Sequence, residues 1–273
     1  MPVYRPDEIL ILSDMDGTLI HAPHPVPEGS CEGIRRFTSL GGNFAVATGR
    51  AVDSVRFYTK HVPFTAPSIT FNGAVLYDYQ KGQVLWCNPL PKSVGAILLA
   101  VRERFPMVGI ELHLAEKLYS FRFNSYLQAR QDLEGMQYIH ETDPSRVEGE
   151  WCKLLFATGP ELQPEVLKYI GQIAGNDVYF VPTNDCFIEL IAADVNKGAA
   201  LEKLRGMLGD RAKLVVAAGD YYNDIELFQH ADFRAVPVNA PEDVRALADL
   251  LIPPPEECGI ATLIEHVLHT FCN

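Results

Sequence analysis

The run Ile9-Leu10-Ile11-Leu12 is followed, after Ser13, by Asp14-Met15-Asp16-Gly17-Thr18. Four consecutive apolar residues next to a charged turn read as a short buried strand. In a strand, positions i and i+2 point to the same side, so Asp14 and Asp16 are expected together where the strand ends. Two such carboxylates repel each other unless a cation sits between them. A hard cation such as Mg²⁺ takes carboxylates and phosphates as ligands. Gly17 lets the chain turn sharply, and Thr18 adds a hydroxyl and an N–H. Asp, Gly and Thr are also ordinary turn residues, so the rest of the chain decides between the readings.

Strands and helices alternate in the first part of the chain. A Pro- and His-rich loop, residues 21–27, precedes a helix over 29–40 that Gly41-Gly42 closes. A second short strand over 43–47 leads into Thr48-Gly49-Arg50 and a helix reaching about residue 60. A third strand over 68–71 ends at Asn72-Gly73, a hairpin signal leading into 74–77. This alternation predicts a parallel sheet covered on both faces. The middle differs. Helices are expected over 92–105, with Val94, Leu98, Val101 and Phe105 on one stripe, and over 163–174, with Val166, Ile170 and Ile173. Strands are expected over 107–113, 118–124, 152–157, 178–182 and 186–191. Such a stretch reads as an α+β module inserted into the first domain. The α/β pattern then resumes: a helix over 197–208, a strand over 214–218, a helix from about residue 222, a strand over 233–236, and a last helix over 260–271.

The chain has 273 residues, room for about two domains. A hydrophobic content of 48% and a charged content of 21% suit a globular protein with a good core. The net charge of −12 argues against non-specific binding to nucleic acid or anionic membrane. It also repels a phosphate-bearing ligand at long range, so a phosphate site must carry its own local cations. The six cysteines, Cys31, Cys87, Cys152, Cys186, Cys258 and Cys272, form no Cys-x-x-Cys pair. Free thiols in a reducing compartment are therefore expected. No apolar signal core occurs in the first eight residues, and no run approaches the roughly 20 residues that span a bilayer. A cytoplasmic protein is the expectation.

Polar groups suited to phosphoryl transfer gather at the expected strand ends, where open parallel sheets bind ligands. Asp14 and Asp16 follow the first strand, Thr48 and Gly49 the second. Gly219-Asp220-Tyr221-Tyr222-Asn223-Asp224 follows the 214–218 strand, and Lys197 opens a helix. A carboxylate can act as nucleophile and form an aspartyl-phosphate. Mg²⁺ neutralises phosphate charge, while a lysine and hydroxyls hold the remaining oxygens. Asp220 and Asp224, four apart, face the same way across a helical turn and would complete a metal site begun by Asp14. Lys197 is electrostatically awkward at a helix start unless an anion binds there. Arg50 either reaches the substrate or braces its loop. Asn223 either binds substrate or caps a helix.

Asp14-Met15-Asp16-Gly17-Thr18, Ala47-Thr48-Gly49-Arg50, Asn196-Lys197-Gly198 and Gly219-Asp220 to Asn223-Asp224 together resemble the four signature motifs of the haloacid dehalogenase (HAD) superfamily. The long gap between Arg50 and Lys197, with Asn72-Gly73 before it, resembles the Cof-type subgroup (class IIB cap). The resemblance implies an α/β fold with a Rossmann-like parallel-sheet core over 1–80 and 191–273. It also implies an inserted α+β cap over 81–190. Asp14 would be nucleophile and Mg²⁺ ligand. Asp16 would be general acid/base, with its backbone carbonyl on Mg²⁺. Thr48, Gly49 and Asn223 would bind the phosphoryl group, which Lys197 neutralises. Asp220 would ligate Mg²⁺, and Asp224 would orient metal-bound water or Lys197. A Mg²⁺-dependent phosphatase of a small phosphorylated metabolite follows, a sugar phosphate first among candidates. It would be a monomer or small homo-oligomer with no nucleic-acid or membrane partner. The alternatives are a phosphosugar mutase and a module that binds a phosphorylated ligand without turnover. A mutase needs a cationic cap site for a second phosphate, for which Arg122, Arg130, Arg146 and Lys153 are candidates. Glu111, His113, Tyr119 and Asn184 are candidates to line a substrate pocket.

Overall fold

In the computed structural model, which describes residues 2–272, the chain opens with β1 (Ile9–Ser13), α1 (Glu28–Ser39), β2 (Asn43–Val46) and α2 (Val52–Tyr58). Then come β3 (Ser68–Thr70), β4 (Val75–Asp78) and β5 (Gln83–Cys87). The middle holds α3 (Val94–Arg104), β6 (Gly109–His113), β7 (Leu118–Arg122), α4 (Ser125–Glu134) and β8 (Ile139–His140). It continues through β9 (Lys153–Ala157), α5 (Gln163–Ile173), β10 (Val178–Asn184) and β11 (Phe187–Ala192). The last part comprises α6 (Lys197–Leu208), β12 (Leu214–Ala218), α7 (Ile225–His230), β13 (Phe233–Pro237), α8 (Glu242–Arg245), β14 (Leu250–Ile252) and α9 (Gly259–Phe271).

Two compact units result. The first comprises the chain up to Arg50, Tyr58–Trp86, and the chain from Asn196 onward. The second comprises Ala51–Phe57 and Cys87–Val195. The expected boundaries at 80/81 and 190/191 need correction. Gln83–Trp86 belong to β5, which extends the small β3-β4-β5 sheet of the first unit. Residues 190 and 191 both lie inside β11, so the second expected boundary would cut a strand.

The first unit is built on a five-stranded parallel sheet in the order β14-β13-β12-β1-β2. Every residue of β1, β2 and β12 is buried, which is why these strands read as unbroken apolar runs. Leu10 and Leu12 share a core cluster with Val215 and Ala217, and with Ala200, Leu201 and Leu204 of α6 and Leu227 and Phe228 of α7. The pleat sends Ile9 and Ile11 to the opposite face. There α1 and α9 pack together, with Gly33 close against Ala261. Burying four such side chains contributes roughly 1.5–3 kcal/mol each. The third expected strand forms as β3, but it pairs antiparallel with β4 across the Asn72-Gly73 turn. A bridge between Ala47 and Ile69 ties this hairpin to the parallel sheet.

The second unit has a six-stranded sheet in the order β10-β11-β9-β6-β7-β8, antiparallel except for the β7–β8 pair. One face, including Ile110, Leu112, Leu154, Phe156, Ile188 and Leu190, packs against the apolar stripes of α3 and α5. Ile173, expected on the α5 stripe, is 37% exposed at the helix end, whereas Val166 and Ile170 are fully buried. Helix α4 carries too weak an apolar stripe to be legible, since Leu127 is its one buried residue. Its ends are well marked: the Asn124 side chain accepts from the Leu127 N–H, and Gly135 closes it in a left-handed conformation. Among the described residues, no helix is long and apolar enough to cross a membrane.

Candidate active site

Each residue expected to carry chemistry lies in the first unit. Asp14 directly follows β1, and its N–H donates to the carbonyl of Ala218 at the end of β12 (2.7 Å). Parallel pairing of β1 with β12 therefore brings the Asp14 and Asp220 loops to one sheet edge. The Thr18 hydroxyl donates to Asp220 Oδ1 (2.9 Å). Gly17 has φ +82°, and a Cβ there would stand 2.3 Å from Asp220 Oδ2. Only glycine satisfies both that backbone and that approach.

Lys197 opens α6, whose N-terminus is capped by Asn196 through the Ala199 N–H (2.7 Å). Its ammonium is fully buried and donates to Asp14 Oδ1 and Asp224 Oδ1, each at 2.6 Å. The other oxygen of Asp224 accepts from the N–H groups of Asp220 (3.0 Å) and Tyr221 (3.2 Å). Asp224 is thus fixed from two sides. Burial pushes the Asp14 carboxyl well above its usual range against the pull of Lys197, and Asp224 and Asp220 add to the rise. Burial and the Asp224 charge raise Asp220 to about 6. Burial alone would lower Lys197, but the two carboxylates more than offset it and raise its pKa.

Asp14, Asp220 and Asp224 each offer an oxygen within 4.8 Å of the others. Among the described residues, no second group of three His, Cys, Asp or Glu side chains is so placed. Three acidic groups face one ammonium in a mostly buried space, and their mutual repulsion is part of what raises Asp14 and Asp220. A divalent cation with a taste for oxygen fits that donor set.

The Asp16 carboxylate is directed elsewhere. Arg50 grips it with two hydrogen bonds, from Nε and from the terminal nitrogen, both 2.6 Å. The Arg50 guanidinium in turn lies 4.3 Å from the centre of the Tyr58 ring. Strand β1 stops at Ser13, so the alternation that would have paired the Asp14 and Asp16 side chains has already lapsed. Asp220 and Asp224 are joined by a short 3-10 turn, Tyr222–Asp224, rather than by an α-helical turn.

The Thr48 loop is clamped to the β3–β4 turn. Asn72 N–H donates to the Thr48 carbonyl (2.9 Å), and Phe71 N–H to the Arg50 carbonyl (3.0 Å). The Thr48 hydroxyl accepts from the Arg50 N–H (3.2 Å). A Cβ on Gly49 would meet the Asn72 side-chain oxygen at 2.9 Å. Asn223 Nδ2 donates to that same oxygen (3.2 Å). Asn72 therefore links the Thr48 and Asn223 loops, a role that its reading as a hairpin residue did not include. The signal in the sequence was the Asn-Gly pair two residues past the end of β3, and Asn72 there has a left-handed φ of +57°.

Of the second-unit pocket candidates only Glu111 and His113 meet, with His113 Nε2 against Glu111 Oε1. Glu111 and His113 lie on the sheet face opposite the α3/α5 core, whereas Tyr119 packs against that core and Asn184 is exposed at the β10–β11 turn. Arg130 Nη1 and the Tyr138 hydroxyl donate to Glu111 (2.6 and 2.7 Å). Lys153 donates to Glu189 (2.6 Å). Arg122 donates to the carbonyls of Phe105 and Arg102, both at 2.8 Å. Arg146 pairs with Asp143. The four cations considered for a second phosphate are engaged inside their own unit.

A family model described as haloacid dehalogenase-like hydrolase matches residues 11–264. The 5-amino-6-(5-phospho-D-ribitylamino)uracil phosphatase YitU of Bacillus subtilis is 24% identical over 264 residues, which cover 94% of this chain and 96% of that protein. A protein of Arabidopsis thaliana named chloroplastic endoribonuclease YBEY is 22% identical over 274 residues. That match covers 96% of this chain but 47% of the Arabidopsis protein, so the chain spans about half of that relative. The solved structure of a haloacid dehalogenase-like hydrolase from Bacteroides thetaiotaomicron has the same fold, with a TM-score of 0.85 at 21% identity. It is matched over 94% of this chain and 98% of its own.

Proposed function

The chain belongs to the haloacid dehalogenase-like hydrolase family, and on that footing we propose that it is a Mg²⁺-dependent phosphatase. It hydrolyses a small phosphorylated metabolite through an aspartyl-phosphate at Asp14. One observation carries this reading: Asp14 is held by the buried Lys197 ammonium and grouped with Asp220 and Asp224, three acidic groups around one cation. A carboxylate so placed has an anchored position, a cation beside it and a fitting site for a divalent ion.

Asp14, Asp220 and Asp224 would hold Mg²⁺, with the Asp16 backbone carbonyl. When bound, the ion supplies positive charge to the phosphate oxygens. The rest is done by side chains. Asp14 attacks phosphorus in line, and the departing alcohol oxygen takes a proton from Asp16. Asp16 then removes a proton from water, which attacks phosphorus and releases phosphate from Asp14. Lys197 neutralises the transferring group, and the Thr48 hydroxyl, the Gly49 N–H and Asn223 fix its oxygens. Arg50 holds the Asp16 carboxylate in the resting protein, so this fork must open and the carboxylate must take up a proton from solvent before Asp16 can act as the acid. The second unit, which lies in the chain between the Arg50 and Lys197 motifs, is the substrate-selecting cap domain.

A small phosphate ester is the substrate class, with sugar phosphates first. The name of the Bacillus relative, a phosphatase of a phosphorylated ribityl compound, supports that order. The test is a panel of sugar phosphates, nucleotides and cofactor phosphates in Mg²⁺, read by released phosphate. Phosphate release that stops in Asp14→Asn, and that stops reversibly when Mg²⁺ is chelated, is the expected result. Isomerised sugar phosphate without released phosphate would make the protein a mutase. Binding without turnover would make it a phospho-ligand module.

A further inference from the structure

Cys87 and Cys152 lie 65 residues apart in sequence, yet their sulfurs are 3.6 Å apart. Both belong to the second unit. Cys87 ends β5 and opens the Cys87–Val195 segment of that unit, while Cys152 directly precedes β9, near the middle of its sheet. Neighbouring backbone bonds hold the two segments side by side. The Leu90 N–H donates to the Trp151 carbonyl (2.6 Å), and the Cys152 N–H to the His113 carbonyl (2.8 Å). The environments of the two thiols differ. Cys152 is almost wholly buried, whereas Cys87 is half-buried and reachable from solvent. Nothing in the phosphoryl-transfer chemistry uses either.

We propose that Cys87 and Cys152 are a redox-responsive dithiol, converted to a disulfide by peroxide and returned to two thiols by a small dithiol reductant. The inference stands apart from the phosphatase reading. The two sulfurs are in contact, and bond formation requires them to close to about 2.05 Å, within reach of side-chain rotation and small backbone adjustment. Cys87, the accessible thiol, reacts first. Its thiolate attacks one peroxide oxygen, the O–O bond breaks, water leaves, and Cys87 becomes a sulfenic acid. Cys152 then attacks the Cys87 sulfur, the S–O bond breaks, and a second water leaves. The two sulfurs together lose two electrons and two protons, and one peroxide is reduced to two waters. Burial shields the Cys152 sulfur from oxidant outside, and its contact with Cys87 at 3.6 Å places it to act as the resolving partner. The cross-link ties the chain entering the second unit to its central sheet. Such pairs in reducing compartments are transient sensors rather than permanent staples.

The test uses the full reduced chain treated with hydrogen peroxide. Thiols are counted under denaturing conditions, cross-links are mapped by peptide mass, and the unfolding midpoint is measured before and after. Two of the six thiols should disappear, and a Cys87–Cys152 peptide should appear with the loss of two hydrogens. The midpoint should rise by roughly 5–10 °C. Dithiothreitol should reverse all three changes. Cys87→Ser, a change at a half-buried position, should abolish the cross-link, as should Cys152→Ser. The proposal fails if treated protein keeps all six thiols, if the cross-link joins other cysteines, or if Cys87→Ser still loses two of its five thiols.

Discussion

A lysine without exposed surface is tolerated only where carboxylates meet it, and Lys197 meets two. Replacing it by Met should leave Asp14 and Asp224 buried and unpaired. Loss of roughly 3–5 kcal/mol in denaturant unfolding is expected. Turnover should fall by at least about 100-fold, measured as phosphate release. Gly17→Ala is the companion change. Its Cβ would occupy the space of the Asp220 carboxylate, so Mg²⁺ affinity measured calorimetrically should drop by at least about 10-fold. An unchanged affinity would remove Asp220 from the metal site. At this scale the sequence was informative about identities and poor about partners. Asp14, Lys197, Asp220 and Asp224 were legible because each sits at a strand end or helix start, and the fold brings those ends together. The Arg50–Asp16 fork spans 34 residues and depends on how two loops meet, which no local pattern encodes.

Elements were legible where burial was complete. Strand β1, α6 and β12 have the bounds that their apolar patterns predict, because each is packed on its sheet face or along its whole stripe. Helix α4 and strand β5 were not, since their burial is partial and their residues mixed. The second unit's sheet shows the same effect from the other side. Its polar face looks like a surface in sequence, yet Glu111 is fully buried there against Arg130. Burial alone would raise the Glu111 carboxyl, but the Arg130 guanidinium beside it prevails and holds it well below the usual range. A lowered carboxylate contributes stability that is complete above its ordinary value of 4.5 and is withdrawn as the pH falls below it. Wild-type protein should therefore lose stability in acid more steeply than Glu111→Gln, as urea midpoints across that range would record. At neutral pH Glu111→Ala should cost about 3–5 kcal/mol, because Arg130 stays behind without its partner.

Each of the two units has its own core. The Leu10, Leu12 and Val215 cluster belongs to the first unit, and the Ile110, Leu154 and Phe156 cluster to the second. Phe156→Ala should cost about 3–5 kcal/mol. Its faster amide exchange should be confined to residues 87–195 and leave the parallel sheet unchanged. Two domains were legible from the break in strand–helix alternation. The joins were not, because β5 and β11 run straight through the places where composition shifts. Net charge makes the same point about scale. A chain at −12 would repel a phosphate, yet Lys197 lies beside Asp14 in the buried site, and three carboxylates there suit a divalent ion. The central claim is that Asp14 carries the phosphoryl group. Borohydride added during turnover reduces an acyl phosphate to an alcohol, so peptide mapping should find homoserine at position 14, and none in Asp14→Asn. Turnover with an unmodified Asp14, or with the mark on another carboxylate, would contradict it.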